Sequence, residues 1–225
     1  MAKIKFGAMM VDASGKLGGQ VFAKNRGGSY IRTKTTPLNP QTTSQMSVRG
    51  IFASISAGWS SLTEAGRQSF NNLVADYART DIFGDIRNPS GKALYQRLNQ
   101  NLAISNQDAI TECVLPQAVP FANLSEALMN AGAGIFQVTT NGDTTGSQVV
   151  YWATPPLSAG TRFVKNKLRQ IDVAQGDTEL QHDIADAYIA KFGAFANTDN
   201  IFVAVRTINA NGQASPLEVI KAITA

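Results

Sequence analysis

The chain of 225 residues contains one cysteine, Cys113, and one histidine, His182. A single thiol excludes any disulfide within the chain, and one residue of each kind cannot form a zinc site of several cysteine and histidine ligands. Cys113 is therefore predicted to be a small buried residue. No apolar run approaches the ~18 residues of a membrane-spanning helix. Lys3 and Lys5 are not followed by the apolar segment of a secretion signal, so we expect no cleaved signal. We also expect no membrane partner.

Motifs that would indicate an enzyme are also missing. His182 precedes Asp183, but the chain has no G-x-S-x-G motif to supply a nucleophile for such a pair, and His182 is predicted to lie at the surface. The Gly-Lys pairs at 15–16 and 91–92 lack the flanking residues of a phosphate-binding loop. Residues 15–18 match the G-x-x-G loop of RNA-binding KH domains, yet lie between predicted strands rather than helices. We therefore expect a protein that is not an enzyme and has no cofactor.

Positive charge is concentrated in the first part of the chain. Residues 1–50 contain eight lysines or arginines and one aspartate, a net charge of 8 − 1 = +7, so the other 175 residues carry −3 of the total of +4. Such a basic segment usually binds another protein surface or a polyanion. The residues predicted to contact that partner around one hairpin are Lys24, Arg26, Tyr30, Arg32 and Lys34.

The pattern of turns and apolar residues predicts an α+β protein of several domains. Residues 1–36 are predicted to form a basic β-meander arm of three strands, over 3–11, 20–23 and 29–35, with a tight turn at 25–28. Pro37 and Pro40 end strand pairing and begin a unit of three helices over 37–104. We expect the first helix to start near Thr43 or Ser44, with Thr63 and Ser90 capping the other two. The predicted buried face of the first helix consists of Val48, Ile51, Phe52, Ile55 and Trp59.

The last part of the chain predicts a β-sandwich. Residues 105–120 show no periodicity and are predicted to be a linker, and residues 121–225 are predicted to form an immunoglobulin-like or fibronectin-type-III-like sandwich. Trp152 is expected to be its core tryptophan, whereas the absence of a cysteine pair excludes the antibody subtype. The predicted strands cover 134–140, 147–154, 161–171, 201–208 and 217–224, with a short helix at 183–192.

A set of motifs in residues 14–103 resembles a family of largely uncharacterised proteins that bacteriophages and prophages encode, including crAss-like phages. The motifs are G-x-x-G (Gly15, Gly18), an aromatic-Arg strand (Tyr30, Arg32), P-x-N-P-x-T-x-x-Q-x-x-x-R (Pro37, Asn39, Pro40, Thr42, Gln45, Arg49) and W-x-x-L-T-x-x-x-R (Trp59, Leu62, Thr63, Arg67), followed by N-P-S-G at 88–91. The resemblance implies a structural role in the virion and transfers no catalytic residue.

The function expected from these observations is that of a ring or adaptor component of the portal, neck or tail. Its partners would be other virion proteins and further copies of the chain in a ring, and it would assemble in the cytoplasm of the host bacterium. Gln45 and Arg49 lie one helical turn apart and could bind the extended connector or an adjacent subunit. A capsid decoration protein, or a nonspecific nucleic-acid-binding protein that contacts DNA through the basic arm, are the alternatives.

Overall fold

The computed structural model describes residues 2–7, 10–178 and 180–224, and within these it contains four helices and 14 strands. The predicted α+β class is confirmed. Contacts divide the chain into two compact units, the first comprising residues 1–48 and 79–87 and the second comprising 49–78 and 88–225. The boundaries differ from the four predicted segments because a hairpin at 79–87 belongs to the first unit and residues 105–120 pack within the second.

A four-stranded antiparallel sheet forms most of the first unit. Its strands are β1 (Ala2–Lys3), β2 (Gly15–Leu17), β3 (Gln20–Asn25) and β4 (Gly28–Thr33), in the spatial order β1-β4-β3-β2. The predicted turn at 25–28 is confirmed. The predicted strand at 3–11 is wrong: it is limited to β1, residues 4–7 and 10 lie outside any strand, and Ala8 and Met9 fall outside the described residues. The strand β2 was not predicted, since Gly15 and Gly18 read as turn residues.

The first unit also contains a short hairpin. Strands β5 (Arg79–Thr80) and β6 (Ile86–Arg87) pair antiparallel around a turn in which Gly84 has a φ of +84°. Glycine adopts this left-handed conformation without the steric cost that a Cβ atom would impose. The sequence predicted an ordinary loop here, because two-residue strands carry too few side chains for an alternating pattern to be visible.

Three helices follow the predicted boundaries closely. They are α1 (Thr43–Ser61), α2 (Glu64–Asn72) and α3 (Gly91–Ile104). The hydroxyl of Thr63 accepts a hydrogen bond from the Gly66 amide at 3.1 Å, and that of Ser90 accepts one from the Ala93 amide at 3.2 Å. These bonds satisfy amides that have no partner in the first helical turn, so both predicted caps are confirmed.

The helical core is smaller than the sequence predicted. Phe70, Tyr95 and Leu98 are buried in it, with Trp59 packed at its margin. On α1 only Ile55 is buried; the prediction that Val48, Ile51 and Phe52 are buried is wrong, since they are 57%, 39% and 48% exposed. The core rings of α2 and α3 lie beside Trp59, near the end of α1, and the earlier turns of the helix lie outside this core.

Two four-stranded sheets in the C-terminal part of the second unit share one hydrophobic core. One has the order β10-β9-β12-β13 and the other β11-β8-β7-β14. The elements are β7 (Leu124–Asn130), β8 (Ile135–Thr140), β9 (Ser147–Ala153), β10 (Arg169–Gln175), β11 (Leu180–Asp183), α4 (Ala185–Phe192), β12 (Phe202–Asn209), β13 (Glu218–Lys221) and β14 (Ile223–Thr224). The strands β7 and β11 were not predicted, and residues 161–168 form a loop rather than a strand.

The side chain at the centre of this core is Tyr151, not the predicted Trp152. Val149, Tyr151 and Ala153 are fully buried on the core face of β9, and the intervening Trp152 is half-buried on the opposite face. Successive residues of a strand lie on opposite faces, so only one of two adjacent aromatic residues can enter the core. Which of the two does so is decided by the register of β9 with its neighbours.

The predicted linker, residues 105–120, has no helix or strand but is packed and hydrogen-bonded. Cys113 is buried, as predicted, and burial raises the pKa of its thiol. The Gln213 side chain, in the loop after β12, donates to the Tyr77 hydroxyl at 2.7 Å and to the Leu115 carbonyl at 3.2 Å, and accepts from the Gln117 amide at 2.8 Å. These bonds join the helices, the 105–120 segment and the sheets within one unit. Independent folding of the predicted segments stays a prediction.

Candidate functional site

The five residues predicted to contact a partner from the arm lie on one hairpin, β3–β4. Lys24 is on β3, Arg26 is in the two-residue turn, and Tyr30 and Arg32 are on β4. Lys34 follows β4, and its backbone amide donates to the Gly19 carbonyl at 2.8 Å, which continues the ladder by one residue. The hairpin therefore presents all five, but on different sides.

Strand register divides these side chains between two faces of the sheet. Tyr30 lies opposite Ala23 and Lys3, and Arg32 lies opposite Val21, which in turn lies opposite Lys16. Residues that are paired across antiparallel strands share a face, and so do alternate residues of one strand. One face, called the basic face below, therefore carries Lys3, Lys16, Tyr30, Arg32 and Lys34. The opposite face carries Phe22 and Ile31, which also lie opposite each other, together with Lys24.

Lys24 has a local partner. Its ammonium lies 3.0 Å from the Asp12 carboxylate, and this hydrogen bond, helped by one from the Ala13 amide, lowers the pKa of Asp12. Lys24 thus differs from Arg32 and Lys34, whose side chains have no hydrogen-bond or ion-pair partner among the residues that the structure describes. Sequence reasoning grouped these cations because they are close along the chain, whereas the register separates them.

The first unit has no hydrophobic core of its own. In its described part, residues 2–7, 10–48 and 79–87, no apolar residue is buried. Large apolar side chains are instead exposed, including Val11 at 90%, Leu17 at 71% and Leu38 at 93%. A small sheet usually needs a packed hydrophobic face for independent stability. The first unit therefore lacks the packed apolar face that would stabilise its sheet alone.

A group of ion pairs joins β1 and the segment after it to the β5–β6 hairpin. Asp81 accepts from the Lys3 ammonium at 3.2 Å and from Arg87 Nε at 3.4 Å. Asp85 lies 3.0 Å from the Lys5 ammonium and 3.3 Å from Arg87 Nη2. Lys3 and Lys5 are 78 and 80 residues from these aspartates along the chain, so no local signal in the sequence could have indicated the pairing.

Asp81 is the central acceptor of this group. Its side chain is only 4% exposed, and burial alone would raise its pKa. Hydrogen bonds from the Phe83 amide, from Lys3, from the Asp85 amide and from Arg87 outweigh that effect and lower the pKa to about 2. Since the folded pKa lies below the ordinary 3.8, these contacts stabilise the first unit above pH 3.8 and are lost as the pH falls through about 2.

We predict that Asp81→Asn releases β1 at neutral pH. The variant removes the charge that holds Lys3 and Arg87, so the Ile4 amide, which donates to the Ser29 carbonyl at 3.0 Å, should exchange its hydrogen faster. Asp85→Asn is the matched control and should have a smaller effect, because Asp85 is 36% exposed. Hydrogen-exchange mass spectrometry of the N-terminal peptide measures both. Equal protection in Asp81→Asn and the unaltered protein would contradict this role.

Gln45 and Arg49 both lie on the exposed first turns of α1. Thr42 caps this helix, since its hydroxyl accepts from the Gln45 amide at 3.3 Å. Neither the Gln45 nor the Arg49 side chain has a hydrogen-bond or ion-pair partner within the described part of the chain. Within the described residues neither side chain makes the predicted bonds to the extended connector, and binding to an adjacent subunit stays a prediction for both.

His182, expected at the surface beside Asp183, joins two edge strands instead. Its Nε2 lies 2.8 Å from Asp172 Oδ2, and its ring stacks on Tyr151 with centroids 4.8 Å apart. Asp172 belongs to β10 and His182 to β11, so the pair links the two C-terminal sheets. The Asp183 carboxylate instead accepts hydrogen bonds from the backbone amides of Phe136 and Ala185.

Two kinds of feature are absent from residues 2–7, 10–178 and 180–224. No group of three or more His, Cys, Asp or Glu side chains there could hold a metal ion. None of the helices in that range has the length and apolar character needed to cross a membrane.

Comparison with known proteins gives no match to a family model, to a curated protein or to a solved structure. The function is therefore inferred from the geometry above together with the sequence resemblance.

Proposed function

We propose that this protein is a non-enzymatic structural component of a phage particle, a ring or adaptor subunit of the portal, neck or tail. The contacts between subunits are made by the β3–β4 hairpin of the first unit and by the exposed turns of α1 that carry Gln45 and Arg49. The two C-terminal sheets form an immunoglobulin-like or fibronectin-type-III-like sandwich that serves as the folded body of the subunit. The protein assembles in the cytoplasm of the host bacterium and resides in the virion.

The observation that carries this proposal is the long exposed segment that follows the sheet, which itself has no hydrophobic core. Every described residue from 32 to 54 is exposed, a run that includes the proline connector and the first 12 residues of α1. Val48 and Phe52 in that stretch of α1 are 57% and 48% exposed. Isolated helices of about 12 residues are marginal in water, so a helix start whose residues are all exposed in the described chain is well suited to packing on another chain.

The edges of the sheet offer a second means of association. All three residues of β2 are exposed at one edge, and the paired part of β1 at the other edge is only two residues long. An unpaired edge can accept a strand from a neighbouring subunit through backbone hydrogen bonds. When each subunit presents one surface to a different surface of the next, the contacts close into a ring if the rotation permits.

The resemblance to proteins of bacteriophages and prophages supports the same function independently. It covers about residues 14–103, which include the sheet, the connector and the three helices, and its motif residues Gln45 and Arg49 are among the exposed residues. Motif residues that are exposed and unpaired within the chain favour recognition over internal packing.

The proposal is tested on purified particles and on the purified chain. Density-gradient particles from the producing cells should contain the chain in a constant ratio to the major capsid protein, and the ratio should survive nuclease and a salt wash. Analytical ultracentrifugation and electron microscopy of the chain should show a closed oligomer above the monomer mass of 24.0 kDa. A chain that is absent from washed particles and monomeric at all concentrations would contradict the proposal, and a chain present on capsids without tails would favour decoration.

Nucleic-acid binding by the arm is the second candidate function. The basic face combines Lys16, Arg32 and Lys34 with the ring of Tyr30, a mixture that suits contact with phosphates and bases. A protein that binds duplex DNA in this way loses affinity steeply as salt rises, with a log–log slope of about −0.9 per phosphate contacted. Binding at low salt with that slope would support this candidate, whereas the absence of binding at low salt favours the structural one.

A further inference from the structure

A second group of cations lies far along the chain from the arm, in the loop between β9 and β10. Arg162, Lys165, Lys167 and Arg169 fall within eight residues, and the 28 residues from 144 to 171 contain no acidic residue. The second unit as a whole is acidic: it has 11 basic and 13 acidic residues, a net charge of −2. The loop is therefore a local basic surface on an otherwise acidic unit.

This loop forms a groove with an exposed aromatic wall. The groove has a volume of about 420 Å³ and is lined by Arg162, Phe163, Val164, Lys165, Asn166 and Val219. Phe163 is 88% exposed, the highest exposure of any large apolar side chain in the described part of the second unit. The ring therefore presents an accessible aromatic face on which a planar group can stack.

The shape of the loop is held by its own contacts. Val164 is buried and anchors it, and the Lys167 amide donates to the Val164 carbonyl at 2.9 Å. Arg169 Nη1 donates to the carbonyls of Asn166 at 3.0 Å and Leu168 at 2.8 Å, so this guanidinium supports the loop. The side chains of Arg162, Lys165 and Lys167 are exposed and have no hydrogen-bond or ion-pair partner in residues 2–7, 10–178 and 180–224.

We propose that the 162–169 loop binds single-stranded nucleic acid. A base stacks on the Phe163 ring, while the ammonium and guanidinium groups of Arg162, Lys165 and Lys167 contact the flanking phosphates. The Asn166 amide lines the same groove and offers both a donor and an acceptor to a base edge. Because the contacts of the loop already hold its shape, binding carries little further entropy cost for ordering it.

The groove favours this ligand over the other anionic partners that cations attract. An acidic polypeptide would use the charges and leave the ring without a contact. An anionic membrane would use the charges and the ring, but it would leave the Asn166 amide, which lines the same groove, without a base edge to bind. Duplex DNA keeps its bases stacked on one another, so the ring discriminates between single and double strands.

The test measures fluorescence anisotropy of a labelled oligothymidylate of about 20 nucleotides, longer than the ~4–16 that one binding module covers. The full chain is used with Lys24, Arg26, Arg32 and Lys34 all changed to Gln, so that the arm contributes little. We expect binding at low salt that is tighter than to a blunt duplex of equal length. Phe163→Ala should weaken it about 5- to 150-fold, and Lys165→Gln should reduce the salt slope by about 0.7.

The matched control is Phe121→Ala with Lys92→Gln, which also removes one exposed ring and one exposed cation from the second unit. It should bind oligothymidylate like its parent, the full chain with the four Gln substitutions, whereas Phe163→Ala with Lys165→Gln should bind more weakly. The proposal is overturned if the parent does not bind, if both double variants bind equally, or if single and double strands bind alike. It is also overturned if phosphatidylglycerol vesicles, and not oligothymidylate, bind in a Phe163-dependent way. None of these results depends on whether the chain forms a ring.

Discussion

Deletion of residues 1–36 is expected to abolish incorporation into the particle while the second unit stays folded. The deleted residues form the four-stranded sheet, in which no described residue is buried, and every buried residue of the described chain lies at position 55 or beyond. The thermal unfolding transition of the second unit should therefore change little. Sedimentation of the truncated chain should give a monomer, and particles produced with it should lack the subunit.

Replacing Lys24, Arg26, Arg32 and Lys34 by Gln separates charge from backbone pairing. If assembly is lost on deletion but survives these four substitutions, strand pairing at the sheet edges is the larger contribution. If the substitutions act like the deletion, the charges dominate, and raising the salt concentration should weaken assembly of the unaltered chain as well. Normal assembly of the truncated chain would remove the main support for the proposed role of the first unit.

Phe70→Ala is expected to destabilise the second unit by about 3–5 kcal/mol. The Phe70 side chain is fully buried, and its ring makes edge-to-face contacts with Tyr95 at 5.2 Å and with Trp59 at 6.1 Å between centroids. Alanine leaves a cavity among these rings that the three helices cannot close without shifting. Denaturant unfolding followed by tryptophan fluorescence and circular dichroism measures the loss.

Trp59→Ala provides the comparison for this prediction. The Trp59 ring packs on Phe70 and Tyr95 but is half-buried, so its removal should cost about 1–3 kcal/mol, less than the loss of Phe70. A larger effect for Trp59 than for Phe70 would place the centre of the helical core on α1. An unchanged unfolding free energy combined with failed assembly would instead identify Trp59 as a partner contact.

Local features of this protein are determined by the sequence alone. Thr63 and Ser90 precede helical patterns and cap them, the Asn25–Gly28 turn joins two strands, and Leu94, Leu98 and Leu102 recur at helical spacing and are buried. Each of these depends on residues within about one turn of each other, so the interactions that decide the structure are visible in a short window. The excess of positive charge in the first 50 residues is likewise a property of composition.

The tertiary structure decided what local patterns leave open. Register placed Tyr151 rather than Trp152 in the core and separated Lys24 from Arg32, because a shift of one residue exchanges the two faces of a strand. The pairing of Lys3 with Asp81 joins residues 78 apart, and the early turns of α1 are exposed because the helical core forms around its later turns. Such long-range contacts depend on how all elements come together, and no periodicity within one element encodes them.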